Sequence, residues 1–313
     1  MRWREAYALV MMSALVACGG GADMSGAIGA DASPHAQAVA DYRALVQQRR
    51  TQRVALLRAS SGWLSYIGSG RLSDGVHRVG NAADNDVQLP GGPAHLGMLR
   101  VDPQDGVYFE AEDGVAVRVG GRPFVAGRLN TDAAHDTETR LDLGGQEFYV
   151  VRTGNLFGWR FRDPHAAARY AFPGIDYFPI DVHWRVVAEW HPQPTPRAVV
   201  LLTSIGTPEP LVLAGSAEFV LQGHRYRLQA LRDESDKRLF FPFSDRTSGR
   251  ESYGGARYLF VELPQGRHIV LDFNLAQNPP CAFTPHLVCP LAPFGNLMDL
   301  AVTAGEKNYM GPR

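Results

Sequence analysis

The sequence predicts a mainly β protein: a β-sandwich followed by a second antiparallel β domain, with one N-terminal helix. Three observations carry that prediction. From Trp63 onward, apolar side chains recur at period two in runs of strand length. Gly, Asn, Asp and Pro punctuate those runs at the spacing of turns. Residues 36–58 carry no Gly or Pro and show a partial helical stripe, and no long helix is expected after residue 60.

The elements follow in chain order. Residues 1–17 read as an export signal, with Arg2 and Arg4 ahead of an apolar run that is shorter than the ~20 residues needed to span a bilayer. The run ends in Leu15-Val16-Ala17-Cys18, which resembles the lipobox of bacterial lipoproteins. The resemblance implies cleavage before Cys18 and a diacylglyceryl group on its thiol, so that the membrane is a partner through a lipid anchor. Each methylene buried in the bilayer contributes roughly 0.8 kcal/mol. Gly19 stands where an aspartate tends to retain such proteins at the inner membrane, which implies the periplasmic face of the outer membrane in a Gram-negative cell. No later segment is long and apolar enough to cross a membrane.

Residues 18–34 are rich in Gly, Ala, Ser and Asp and read as a flexible tether, too poor in large apolar groups to pack. The helix is predicted over 35–60, with Pro34 at its start and Ser61-Gly62 at its end. Val39, Tyr42, Leu45, Val46, Val54 and Leu57 supply a partial apolar stripe, and Arg49, Arg50 and Arg53 are expected on a solvated face. Strands of the sandwich, residues 61–160, are predicted near 76–80, 86–89, 97–101, 106–111, 114–119, 138–143, 146–152 and 157–162. Asp163-Pro164, Pro173-Gly174 and Pro179 mark a boundary near residue 160. The second domain, residues 161–313, has strand-like runs near 182–190, 198–203, 217–221, 224–231, 238–243, 257–262, 267–272 and 298–303. Pro192, Pro194 and Pro196 are expected to exclude regular structure between the first two.

Charge and cysteine usage narrow the function classes. The full sequence has 31 basic and 32 acidic residues; removing residues 1–17 takes away Arg2, Arg4 and Glu5 and leaves a formal charge of −2. That balance gives no basic stripe for nucleic acid. With Cys18 acylated, Cys281 and Cys289 remain as a pair, which in an oxidising compartment reads as a disulfide pinning a short loop. Only His286 lies between them, too few ligands for a metal site, and no cofactor motif is present.

Two stretches resemble known families. Arg78-Val79-Gly80-Asn81-Ala82-Ala83-Asp84-Asn85-Asp86-Val87, followed by Ala94-His95, Val119-Gly120-Gly121 and Leu141-Asp142-Leu143-Gly144, resembles a forkhead-associated domain. That family grips phosphothreonine with an arginine, a serine and an asparagine. Here those positions hold Asn81, one of residues 92–94 (Gly, Pro, Ala), and Gly120, so the resemblance implies the shell without phosphopeptide binding. It also implies that His95 is a satisfied core residue. The second resemblance is carried by Phe240-Phe241-Pro242-Phe243-Ser244-Asp245-Arg246-Thr247, Ser252-Tyr253-Gly254-Gly255-Ala256-Arg257, Leu271-Asp272-Phe273-Asn274 and Asn278-Pro279-Pro280-Cys281. It extends through Phe172-Pro173-Gly174 back to Gly62-Trp63-Leu64. These residues closely resemble the bacterial domain-of-unknown-function family numbered 1684, which implies no particular chemistry.

The candidate site lies in the same run. Asp245 and Thr247 flank a turn ending at Gly249, and Asp272 and Asn274 stand two apart at a strand end, where alternation puts both on one face. Arg257 is the expected charge partner of Asp245 or Asp272, with Tyr253 and Asn278 nearby in sequence. Three functions remain open. The leading one is a ligand-recognition or structural module of the cell envelope, taking a small molecule, glycan or protein, with Arg257, Asn274, Thr247, Tyr253 and Asn278 as binding residues. The second is an envelope hydrolase acting on a glycan or related polymer, with Asp245 and Asp272 as acid and base. The third is a protein-interaction module using a sheet edge or the apolar run at Phe240, Phe241 and Phe243. No nucleophile elbow or phosphate loop supports another reaction, and the histidines are scattered.

Overall fold

The computed structural model describes residues 34–131, 137–232 and 237–312. The expected signal peptide, Cys18 and nearly all of the tether lie outside the described residues. The chain is mainly β, with several antiparallel sheets and one long N-terminal helix.

Helix α1 (Pro34–Arg58) starts on its proline, whose missing N–H is one of the unbonded amides of a first turn. It buries Val46, Arg53 and Leu57 and leaves Leu45 exposed. Its apolar stripe is therefore narrower than predicted, and polar contacts hold much of it in place. Its end is tightly built: a Cβ at Gly62 would stand 2.4 Å from the Leu56 carbonyl oxygen, so the turn needs glycine there.

Among the described residues, eleven strands follow. They are β1 (Tyr66–Leu72), β2 (Gly75–Gly80), β3 (Val87–Gln88), β4 (Gly97–Asp102), β5 (Gly106–Ala111), β6 (Arg118–Val119), β7 (Arg122–Pro123), β8 (Ala126–Leu129), β9 (Leu141–Asp142), β10 (Glu147–Thr153) and β11 (Leu156–Arg162). One sheet runs β1-β11-β10-β9-β6-β7 and the other β3-β2-β4-β5-β8. Alternation along β4 buries Leu99 and Val101 and exposes Met98 and Arg100, and the two sheets close on one core around Val79, Phe109, Phe148 and Phe161. Sequence periodicity missed β1, whose glycines at 68 and 70 interrupt the alternation. They are required because Trp159 lies 3.0 Å or less from where their Cβ atoms would be. His95 departs from the core role implied for it: its side chain is half exposed, with Asp84 at 3.9 Å.

A short helix, α2 (Ala167–Tyr170), leads into the second domain. Its sheet comprises β12 (Arg185–Leu202), β13 (Pro208–Leu221), β14 (His224–Arg232), β15 (Arg238–Phe243), β16 (Arg257–Glu262) and β17 (His268–Asp272), in the order β16-β15-β14-β13-β12-β17. Two expectations are corrected. The three prolines do not break β12. Its pairing with β17 ends at Glu189, so beyond that residue it is an edge strand, where proline is tolerated, and the ladder to β13 skips from Pro192 to Arg197. Residues 298–303 form no strand: Met298 N and the Leu300 carbonyl bond the backbone of Ser244 and Arg246 in isolated contacts, and Val302 is held by the Asp245 and Arg257 side chains.

The two ends of this sheet approach each other. Only residues 263–267 separate β16 from β17, yet the two strands stand at opposite ends of the strand order. Trp190, Phe219, Phe241, Phe243 and Phe273 fill the interior of the curved sheet. Each such side chain contributes roughly 1.5–3 kcal/mol on burial. Phe240, Phe241 and Phe243 are all buried, so the aromatic run is core and not a surface patch. The halves meet through Ser69 Oγ and His286 Nδ1, 3.0 Å apart, and through Thr284 Oγ1, which donates to the Tyr66 carbonyl at 3.3 Å.

Candidate functional site: a groove beneath the N-terminal helix

Three polar clusters surround the seam between β16 and β17. The first is the Asp245–Arg257 pair, both side chains at most 1% exposed. Arg257 Nη1 donates to Asp245 Oδ2 and to the Val302 carbonyl, each at 2.8 Å, and Nη2 donates to the Ala304 carbonyl. Asp245 Oδ1 accepts from Thr247 N at 2.6 Å and from Val302 N at 3.3 Å. Thr247 is itself buried, its hydroxyl 2.7 Å from Ser252 Oγ. Burial presses the Arg257 pKa downward, and the Asp245 carboxylate opposes that. The pair thus supplies hydrogen bonds that a neighbouring strand would otherwise give to residues 302–304. Arg257 and Thr247, expected as binding residues, lie in this sealed core.

The second cluster is Asp272, Asn274 and Tyr42. Strand alternation does not bring the first two together. β17 ends at Asp272, whose carboxylate caps the 3-10 turn Phe273–Leu275 by accepting from Asn274 N at 3.1 Å. Tyr42 of α1 donates to both Asp272 oxygens at 2.9 and 3.0 Å, and Asn274 Nδ2 donates to the Tyr42 oxygen at 2.9 Å. Burial pushes the Asp272 carboxyl above the usual carboxylate range, against the hydrogen bonds it accepts. Burial, with the Asp272 charge beside it, pushes the Tyr42 phenol well above its ordinary value.

The third cluster was not legible in the sequence. Arg53, placed by the helical pattern on a solvated face, is 3% exposed. Its Nε donates to Glu306 Oε1 at 2.9 Å and its Nη2 to the Asn278 carbonyl at 3.0 Å. Asn278 N donates to the other Glu306 oxygen at 2.7 Å. The Arg53 guanidinium also lies 4.4 Å from the Trp63 ring centroid. Gly305 permits this approach: its φ is +79°, and a Cβ there would stand 2.5 Å from the Ala276 carbonyl oxygen. The signal that could have marked Arg53 is its register with Leu57 and Val46 on one helix face.

Between α1 and the β16/β17 seam lies a groove of about 460 Å³. Asp272 and Asn274 line it, as do Arg49, Arg50, Arg53, Arg185 and Arg238; Asp245, Arg257, Thr247, Tyr253 and Asn278 do not. Five arginines there face three carboxylates, those of Glu262, Asp272 and Glu306. Glu306 is taken by Arg53, and Asp272 is taken by Tyr42 and Asn274. Arg50 donates only to the Phe178 carbonyl, at 3.1 Å, and stacks 4.2 Å over the Tyr177 ring, so among the described residues it has no carboxylate partner. Arg185 is exposed, pairs across strands with Asp272, and makes no ion pair within the described residues.

Asp245 and Asp272 do not face each other across an open cleft. The first is sealed behind Arg257, and only the second reaches the groove. Tyr253 instead donates to Cys281 Sγ at 3.5 Å. The expected disulfide is not formed in this structure. Cys281 and Cys289 meet as thiols, Cys281 N donating to Cys289 Sγ at 3.1 Å, and burial pushes the Cys289 pKa well up. The fold supplies the proximity, whereas the bond itself requires an oxidant.

Residues 170–307 match the family described as protein of unknown function (DUF1684). The matched segment contains Phe172 to Pro179 and all three polar clusters apart from their α1 members. It does not reach back to Gly62-Trp63-Leu64. A solution NMR structure of an uncharacterised protein from Haloarcula marismortui is 38% identical, over 44% of this chain and 78% of that one, with a TM-score of 0.38. No curated protein matches. Over residues 170–307, the chain is similar to the DUF1684 family of proteins of unknown function.

Proposed function

We propose that this protein is a lipid-anchored envelope lipoprotein that recognises an anionic small molecule in the groove beneath α1. The single observation that carries the reading is the pair Arg50 and Arg185. Both line one groove, and neither makes a direct ion pair with a carboxylate among the described residues, although Glu306 and Asp272 attract Arg50, and Asp272 attracts Arg185, at longer range. A half-buried guanidinium without a direct ion-pair partner favours an anion beside it, since partial desolvation strengthens the attraction. Burial already presses the Arg50 pKa downward.

The sandwich is read as a forkhead-associated-like shell with no phosphopeptide site. Supporting this, the Asn81 side chain is spent on the Leu89 carbonyl at 3.0 Å, and it stands where that family has its phosphate-binding arginine. The lipobox at Cys18 supports the anchor. Lipoprotein identity is tested by fractionation: the wild-type chain is expected with membranes, and Cys18→Ser in the soluble fraction.

Ligand recognition is tested by hydrogen exchange of the full chain with benzoate, phenyl phosphate and benzyl alcohol. The two anions are expected to slow exchange in residues 42–53, and the neutral alcohol is not. Equal protection by all three, or by none, overturns the reading.

A further inference from the structure

The groove has two kinds of wall, and the second says what the rest of its ligand is. Beside the arginines, its lining is largely apolar: Leu45 from α1, Val261 and Leu263 from β16 and the loop after it, and Leu275 from the 3-10 turn. Leu45 and Leu263 are half exposed, at 51% and 49%. A bare inorganic anion would satisfy the arginines and leave these side chains in water. A neutral chain would cover the apolar wall and leave the half-buried Arg50 without a direct counter-ion. The volume of about 460 Å³ falls within the range of small-molecule sites, which pair apolar walls with a few placed polar groups.

We propose that the ligand is a single-chain amphiphile with an anionic head, a fatty carboxylate or a lysophospholipid phosphate. Its head sits at Arg50 and Arg185, and its chain lies along Leu45, Val261, Leu263 and Leu275. This rests on reading the groove as an anion site. It also accounts for Leu45, a large apolar side chain left uncovered on a helix that otherwise docks through Tyr42 and Arg53. Glu262 lies at the exposed end of β16 and repels an anionic head, which orients the head toward Arg50 and Arg185.

The test uses the full chain carrying Cys18→Ser, in detergent-free buffer, titrated calorimetrically below the critical micelle concentration of each compound. Octanoate, dodecanoate, dodecyl phosphate and dodecanol are compared. Dodecanoate is expected to bind more than tenfold tighter than octanoate, since each buried methylene contributes up to roughly fourfold. Dodecanol is expected at least tenfold weaker than dodecanoate. The tighter of dodecanoate and dodecyl phosphate identifies the head group. Arg185→Gln, at an exposed position, is expected to weaken dodecanoate at least tenfold with an unchanged melting temperature. Leu263→Ser is the second variant, expected to flatten the chain-length series while leaving phenyl phosphate protection of α1 intact. Affinity independent of chain length, or dodecanol binding as tightly as dodecanoate, overturns the inference. If benzoate and phenyl phosphate still protect α1 in that case, the anion site survives. If nothing binds, both readings fall.

Discussion

Removing the Arg257 guanidinium leaves the Asp245 carboxylate fully buried with its charge uncompensated, and it strips the carbonyls of Val302 and Ala304 of their donors. Breaking such a pair costs about 3–5 kcal/mol. Arg257→Ala is therefore expected to lower the unfolding free energy by that amount, read as a fall in the urea midpoint, and to expose residues 298–304 to proteolysis. An unchanged midpoint would show that the pair does not hold the C-terminal segment. The groove residues behave differently, because Arg185 is exposed and its substitution touches no core contact. Sequence reasoning singled out Asp245, Arg257, Asp272 and Asn274 together, since residue type alone cannot separate a sealed ion pair from an open one. Burial separates them, and burial of a charged side chain depends on partners far away in the chain.

At the scale of the element, α1 is the piece whose role differs most from its pattern. Its extent was legible, because residues 35–58 lack Gly and Pro. Its docking was not, because a polar helix face reads as solvated until a buried glutamate 253 positions away is placed against it. Arg53→Ala is expected to leave Glu306 buried without its cation, destabilising the docked helix by about 3–5 kcal/mol. The measurement is hydrogen exchange, which should accelerate across residues 34–58 before it does in β12 to β15. Uniform acceleration everywhere would mean that α1 and the sheet unfold as one unit. The prolines of β12 teach the same lesson: they are tolerated because the neighbouring strand β17 is short, which is a property of the sheet and not of the proline-containing segment.

For the whole molecule, three phenols tie stability to alkaline pH. Tyr42 docks α1, Tyr149 in β10 donates to Tyr66 at 2.8 Å, and Tyr258 in β16 donates to the Pro290 carbonyl at 2.7 Å. Burial is the foremost cause pushing each of them above its ordinary value. A phenol whose pKa is raised by folding holds its proton more tightly in the folded state. Its contribution is complete below the unfolded value near pH 10 and is lost as pH rises through the folded value. The urea midpoint is expected to stay flat with respect to these groups up to about pH 9 and to fall steeply above about pH 10. Tyrosinate absorbance should appear together with the loss of structure, and Tyr258→Phe should make the fall shallower. Titration of all tyrosines near pH 10 in a still-folded chain would overturn this.

The sequence by itself determined the fold class, the extent of the helix, most strands and the kinship of residues 170–307, because each depends on local periodicity, turn residues or a contiguous motif. It also brought the right residue types to one region of the chain. Only the tertiary structure decided which of them are sealed and which line a groove, and it added Tyr42, Arg50, Arg53 and Arg185 from segments outside the motif run. The physical reason is that a cavity and a buried charge are both relations between distant segments. Periodicity reports which face of an element is apolar, but not which charge waits on the element that covers it.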